Sequence, residues 1–147
     1  MRKIAIINGP NMNLLGKRNP EIYGESTLHE LNEELITFGK EKNFEISCFQ
    51  SNFEGGIIEY IHQCLIFDYD FIIINPAAYT HTSIAILDAL DSVKIPFVEV
   101  HMSDINNRES FRKKSLIRNS SEAMFCGHGI LSYKDSINFF YKEKEVS

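Results

Sequence analysis

Glu99 and His101 stand two residues apart in a β-branched and aromatic run, Phe97-Val98-Glu99-Val100-His101. In a strand, residues i and i+2 project to one face, so this carboxylate can orient and charge the imidazole. Such a pair at a strand's carboxyl end suits a general acid; a structural ion pair at a sheet rim has the same spacing. Arg18 and Tyr23 form a second combination, inside a long segment rich in Gly, Pro and Asn. Tyrosine is a poor base near neutrality because its ordinary pKa is about 10, but an adjacent guanidinium favours the tyrosinate. Arg plus Tyr on a closing loop therefore has a use: abstraction of a weakly acidic proton. The bland reading is a Tyr23 that packs the loop down beside a solvated Arg18.

Arg108 and Arg112 stand four apart, so on a helical turn they share a face and can grip a carboxylate bidentately. With Lys113, Lys114 and Arg118 nearby, a solvated basic stretch is the competing reading. His81 reads as lying on the third helix, near its start and directly after the Asn75-Pro76 turn, where it can face a pocket. Asp88 lies about two helical turns beyond His81, too far to reach the same pocket. It reads as a surface carboxylate unless a neighbouring subunit uses it.

These residues need a scaffold, and the chain alternates short apolar runs with amphipathic segments. Ile4 to Ile7, Phe44 to Phe49, Phe71 to Ile74 and Phe97 to Val100 read as strands, with Ala123 to Cys126 a weaker fifth. Thr27 to Lys40 opens on the capping box Thr27-x-x-Glu30 and repeats Leu28, Leu31, Leu35 and Phe38 at helical spacing. Ile57, Ile58, Ile61 and Leu65 mark a second helix, Ile84, Leu87 and Leu90 a third, and Ile137, Phe140 and Tyr141 a closing one. Strict alternation predicts an α/β domain: a five-stranded parallel sheet of flavodoxin-like order with helices on both faces. Residues 1–147 read as one domain, without repeat or linker.

In such a sheet, ligands bind beyond the carboxyl ends of the strands. Those ends carry Asn8-Gly9-Pro10-Asn11, Gln50-Ser51-Asn52, Asn75-Pro76 and His101-Met102-Ser103. Asn52 reads as a helix cap. Together the four ends form the wall of a pocket for a small hydroxylated or carboxylated molecule. From Gly9 to Ser26 no period is visible, and a segment this long is usually functional or disordered. Leu14, Leu15, Ile22 and Tyr23 favour a lid over a solvated loop.

Composition bounds the rest. The 147 residues are 44% hydrophobic, with a formal net charge of −5. This suits one ordered domain and argues against nucleic acid or an anionic membrane as default partner. Neither a membrane-length apolar run nor a signal peptide is visible, and the expected compartment is the cytoplasm. Cys48, Cys64 and Cys126 are odd in number and widely spaced, so neither a disulfide framework nor a zinc site is expected. Dinucleotide, Walker and GxSxG motifs are absent.

The motifs also carry a resemblance. Ile7-Asn8-Gly9-Pro10-Asn11-Met12-Asn13-Leu14-Leu15-Gly16, followed by Arg18-x-Pro20-x-x-Tyr23-Gly24, closely resembles the opening of type II 3-dehydroquinate dehydratases. So do Gln50-Ser51-Asn52-x-Glu54-Gly55, Ile74-Asn75-Pro76-x-Ala78-Tyr79-Thr80-His81-Thr82-Ser83, Pro96-x-Val98-Glu99-Val100-His101-x-Ser103 and Arg108-Glu109-x-Phe111-Arg112. The resemblance runs in order from the first strand to about residue 129. It implies a flavodoxin-like fold and reversible trans-dehydration of 3-dehydroquinate to 3-dehydroshikimate, in the shikimate pathway of aromatic amino acid biosynthesis.

Carried over by position, Tyr23 is the base, Arg18 holds it as tyrosinate, and Asn11 with an ordered water stabilises an enolate. His101, oriented by Glu99, protonates the departing hydroxyl. Asn75, His81, Ser103 with the Met102 backbone, and Arg112 bind the substrate, while Arg108 orders the lid. The resemblance further implies a dodecamer built from trimers, with Asp88 supplied by an adjacent subunit, and no metal or organic cofactor. Asp104 stands where many members carry Asn, and Met102 where Leu or Ile is usual. The tail after Gly129 is more polar and aromatic than the family pattern, which bears on packing and assembly. A flavodoxin-like module that binds a quinate-like ligand without turnover is the alternative. The retention of Tyr23, Arg18 and His101 argues against it.

Overall fold

A computed structural model describes the backbone of residues 1–146, and their side chains except those of Tyr23 and 143–146. Among these residues, strands β1 (Arg2–Asn8), β2 (Phe44–Gln50), β3 (Phe71–Asn75), β4 (Phe97–His101) and β5 (Ala123–Cys126) form one sheet. All the pairings are parallel and the order is β2-β1-β3-β4-β5. That is the flavodoxin-like order, whose switch point lies between β1 and β3. The helices are α1 (Pro20–Tyr23), α2 (Leu28–Glu41), α3 (Glu54–Ile66), α4 (Ile84–Val93) and α5 (Ile130–Val146). No helix among the described residues is long and apolar enough to cross a membrane.

The period-two side chains of the strands divide the core in two. Ile4 and Ile6 of β1, with Ile73, Val98 and Val100, meet Leu31 and Leu35 of α2 and Tyr133, Ile137 and Phe140 of α5. Ala5 and Ile7, with Ile72, Ile74 and Phe97, meet Ile57 and Ile61 of α3 and Ile86 and Leu90 of α4. A β-rich run buried on both faces has no polar side to show, which is why these strands read as continuous apolar segments. The capping box forms: Thr27 Oγ1 accepts the Glu30 backbone N–H, and Glu30 Oε1 accepts the Thr27 N–H.

Three local expectations need correction. Asn52 caps nothing. Phe53 holds the N-cap of α3, and Asn52 Oδ1 instead accepts the Asn11 backbone N–H at 2.9 Å and Gln50 Nε2 at 3.1 Å. Arg108 and Arg112 do not share a helical face. Arg108 is extended and follows the 3-10 turn Ile105–Asn107, whereas Arg112 ends a second 3-10 turn, Ser110–Arg112. His81 ends a 3-10 turn, Ala77–His81, that precedes α4. For Asn52 and His81 the side-chain partner lies 41 and 33 residues away, beyond the reach of any local pattern.

The Gly9–Ser26 segment folds over the switch point as a 3-10 turn, Met12–Leu14, followed by α1. Met12 and Leu15 are buried and anchor it to the core, while Leu14 and Ile22 face outward. Gly9 is required at its root, because a Cβ there would lie 2.4 Å from the Pro76 carbonyl oxygen. That close approach lets the Gly9 N–H donate to the Asn75 carbonyl at 2.8 Å and ties the two strand ends together.

Candidate active site

The carboxyl ends of β1, β3 and β4, the Gly9–Ser26 segment and the turns after β4 enclose one pocket. Asn11, Arg18, Asn75, His81, His101, Met102, Ser103, Arg108 and Arg112 line it, together with Pro10, Met12, Ala77, Ala78 and Ile105. Tyr23 ends α1, which begins after Arg18, and its side chain lies outside the described residues. Asp88 is exposed on α4 and does not line the pocket of its own chain.

Glu99 and His101 behave as one unit. Glu99 is fully buried beneath His101, whose Nε2 lies 2.6 Å from Glu99 Oε2. Thr80 Oγ1 donates to the same oxygen at 2.6 Å, and Ser115 Oγ lies 2.7 and 2.9 Å from the two carboxylate oxygens. Burial raises the pKa of Glu99. The hydrogen bond and charge of His101, followed by the Thr80 and Ser115 hydroxyls, more than offset this and hold it below the ordinary value. A buried carboxylate so satisfied stays ionised and keeps a proton on Nε2. Nδ1 is then the ring nitrogen left for the pocket.

Sequence reasoning missed Thr80 and Ser115. Thr80 was present in the quoted motif, but no spacing rule ties it to Glu99. Ser115 sat inside a basic run that hid it. The two segments are joined by backbone: the Leu116 N–H donates to the Thr80 carbonyl at 2.8 Å. His81 Nδ1 lies 2.6 Å from the Lys114 carbonyl. A carbonyl only accepts, so Nδ1 carries a proton and Nε2 is the ring nitrogen left to face a ligand.

Three guanidinium groups, from Arg18, Arg108 and Arg112, line the pocket of a chain whose net charge is −5. This concentrates positive charge where an anionic ligand would sit. Arg112 Nε donates to Glu109, which holds that carboxyl below its ordinary pKa and leaves the terminal Nη hydrogens of Arg112 for a ligand. Arg108 Nη1 lies 3.4 Å from Ser103 Oγ and links the arginine turn to the end of β4.

Asn11 adopts a left-handed backbone, φ 71°, pinned by the Asn52 side chain through its own N–H. Asparagine tolerates that region better than most residues, and the conformation places its amide at the pocket wall. Asn75 is only 4% exposed, and its Oδ1 accepts the Ala77 N–H at 3.0 Å. Its Nδ2 donates to Tyr133 Oη at 2.9 Å, with Met12 Sδ 3.6 Å away. That leaves one Oδ1 lone pair and one weakly held N–H for a ligand, a set that matches a hydroxyl group.

A family model for dehydroquinase class II matches residues 2–141. The chain is 46% identical over 144 residues to the 3-dehydroquinate dehydratase of Acinetobacter baylyi, covering 98% of this chain and 97% of that one. It is 45% identical over 141 residues to a catabolic 3-dehydroquinase of Sclerotinia sclerotiorum, covering 95% and 92% respectively. The crystal structure of a type II dehydroquinase from Butyrivibrio crossotus superposes with a TM-score of 0.92 at 43% identity, covering 94% of this chain and 96% of that one. Identity at this level over nearly the whole length, on one sheet order, leaves a single assignment: the chain belongs to the class II dehydroquinases.

Proposed function

We propose that this dehydroquinase interconverts 3-dehydroquinate and 3-dehydroshikimate by trans-elimination of water through an enolate. The observation that carries the reading is His101. It is held on Nε2 by a fully buried Glu99 and lines a pocket with three arginines. Such an imidazole, once protonated, has Nδ1–H to give to a leaving hydroxyl.

Tyr23, as tyrosinate beside Arg18, removes the proton on the carbon next to the ketone. The electron pair moves onto the ketone oxygen as an enolate, which Asn11 stabilises through an ordered water. Collapse of the enolate expels the hydroxyl two carbons from the carbonyl carbon, and His101 protonates it as water. Arg112 takes the substrate carboxylate through its Nη groups, with Ser103 and the Met102 backbone. Asn75 and His81 Nε2 meet ring hydroxyls, and Arg108 holds the lid down. The chain's own residues supply both acid and base, so the step needs no metal or organic cofactor.

The single domain acts within an assembly of identical chains, which we read as a dodecamer built from trimers. Asp88 is exposed on α4 one turn beyond Ile84, itself 63% exposed, and completes the site of an adjacent subunit. We place the reaction in the cytoplasm and in the shikimate route to aromatic amino acids. The elimination chemistry is the same for a catabolic enzyme.

The test is a continuous absorbance assay for the conjugated enone of the product, run on purified protein with 3-dehydroquinate. Tyr23→Phe is expected to fold normally and lose about 10²–10⁴-fold in rate. Near-normal turnover in that variant removes Tyr23 as base. Turnover that survives borohydride in the presence of substrate supports the enolate route, whereas inactivation points to an imine on a lysine.

A further inference from the structure

Helix α5 reads from its sequence as packing alone, yet one of its side chains reaches the switch point of the sheet. Tyr133 is fully buried, its ring in the core between the sheet, α2 and α5. Its hydroxyl lies between the side chains that end β1 and β3. Asn75 Nδ2 donates to Tyr133 Oη at 2.9 Å, and Tyr133 Oη donates to Asn8 Oδ1. Burial pushes the tyrosine's ionisation upward, so the hydroxyl keeps the proton it donates.

The direction of this chain is fixed at its origin. The Ala77 backbone N–H can only donate, so the atom of Asn75 facing it at 3.0 Å is the oxygen, and Nδ2 is turned toward Tyr133. Asn8 ends the chain as an acceptor, and its buried Nδ2 has no partner. Asn8 is thus held in the core for its oxygen, at the expense of an unsatisfied amide. Buried polar groups that tolerate such an imbalance usually serve more than packing.

We propose that Tyr133 is a positioning residue for the reaction: it locks the Asn75 amide in the orientation that meets a substrate hydroxyl, with Asn8 as the terminal acceptor. This rests on the reading of Asn75 as a substrate contact. Without the phenol oxygen, Asn75 gains a second loose N–H and a freedom of rotation that binding must then remove. The effect falls on substrate binding, because the role given to Asn75 is to hold a substrate hydroxyl and not to move a proton.

A double-mutant cycle with Tyr133→Phe and Asn75→Ala in the assembled enzyme tests this, reading KM, kcat and the thermal midpoint. Tyr133→Phe keeps the ring in the core. It is expected to raise KM about three- to tenfold with a smaller change in kcat. In the Asn75→Ala background the same change should do nothing further to KM. An equal KM increase in both backgrounds, or a fall confined to kcat or the midpoint, overturns the proposal and leaves Tyr133 as core packing. A normal KM and kcat in Asn75→Ala alone instead overturns the reading of Asn75. If Tyr133→Phe fails to fold, Asn8→Ala takes its place in the cycle, with a smaller rise in KM that again vanishes without Asn75.

Discussion

Replacing Ser115 by alanine removes one hydroxyl and leaves every proposed substrate contact in place. That hydroxyl lies 2.7 and 2.9 Å from the two oxygens of a fully buried carboxylate, and it also accepts the Arg118 backbone N–H at 3.1 Å. A hydrogen bond to a charged group contributes about 1.5–3 kcal/mol, so the variant should be destabilised by about that amount. For a chain of this size the thermal midpoint should fall by roughly 3–10 °C. If the same loss were expressed wholly at the transition state, it would slow the reaction roughly ten- to a hundredfold, which sets the ceiling.

The pH dependence separates the two. With one donor fewer, the Glu99 carboxylate loses a hydrogen bond that favours its ionised form, so its carboxyl titrates higher than in the wild type. Because the ionised carboxylate is what orients His101, kcat/KM rises as Glu99 deprotonates, and the rising limb in Ser115→Ala moves to higher pH. The enone absorbance assay across a pH series measures this, with Ser115→Thr as the variant that restores the hydroxyl and the wild-type profile. A lowered midpoint with an unmoved limb would refute the coupling and reduce Ser115 to a structural prop.

Asp88→Ala should raise KM about three- to thirtyfold in an assembly of unchanged sedimentation, the weight of one polar contact. Mixed reassembly with inactive His101→Ala chains should recover activity, since some sites then combine an intact His101 with a neighbour's intact Asp88; no recovery would place Asp88 outside the site. Gly9→Ala sets a Cβ 2.4 Å from the Pro76 carbonyl oxygen, a backbone atom with no soft rotamer to yield. It should cost about 1–3 kcal/mol, read as a lower denaturant midpoint together with weaker substrate binding. The Glu99 carboxyl sits below its ordinary 4.5 in the folded protein. It therefore contributes stability that is full above about 4.5 and is lost as pH falls through the folded value. Denaturant midpoints should drop on acidification, and Glu99→Gln should flatten that slope.

The sheet was legible from residue order because its determinants are local. β1 to β4 are short β-branched or aromatic runs bounded by Asn or Pro, and α2 announces itself by Thr27, Glu30 and its leucine spacing. Parallel strands buried on both faces follow from that alternation. Glu99 and His101 were readable for the same reason, since a strand's period of two places i and i+2 on one face whatever surrounds them. The likeness of the motifs supplied roles for residues such as Tyr23 and Asp88 that spacing could not place.

What no local rule reaches is contact between segments far apart in the chain. Thr80 and Ser115 converge on Glu99 because the turn before α4 and the segment after Arg112 are joined by the Leu116 N–H donating to the Thr80 carbonyl and by His81 on the Lys114 carbonyl. Asn52 looked like a cap, but the Asn11 N–H, 41 residues away, had the stronger claim on its oxygen. Tyr133 is separated from Asn8 by 125 residues, and nothing in the pattern of α5 distinguishes it from its apolar neighbours. Periodicity specifies which side of an element is buried. Which polar groups meet there depends on every buried donor and acceptor finding a partner at once, and that is settled only when the whole chain has closed around the sheet.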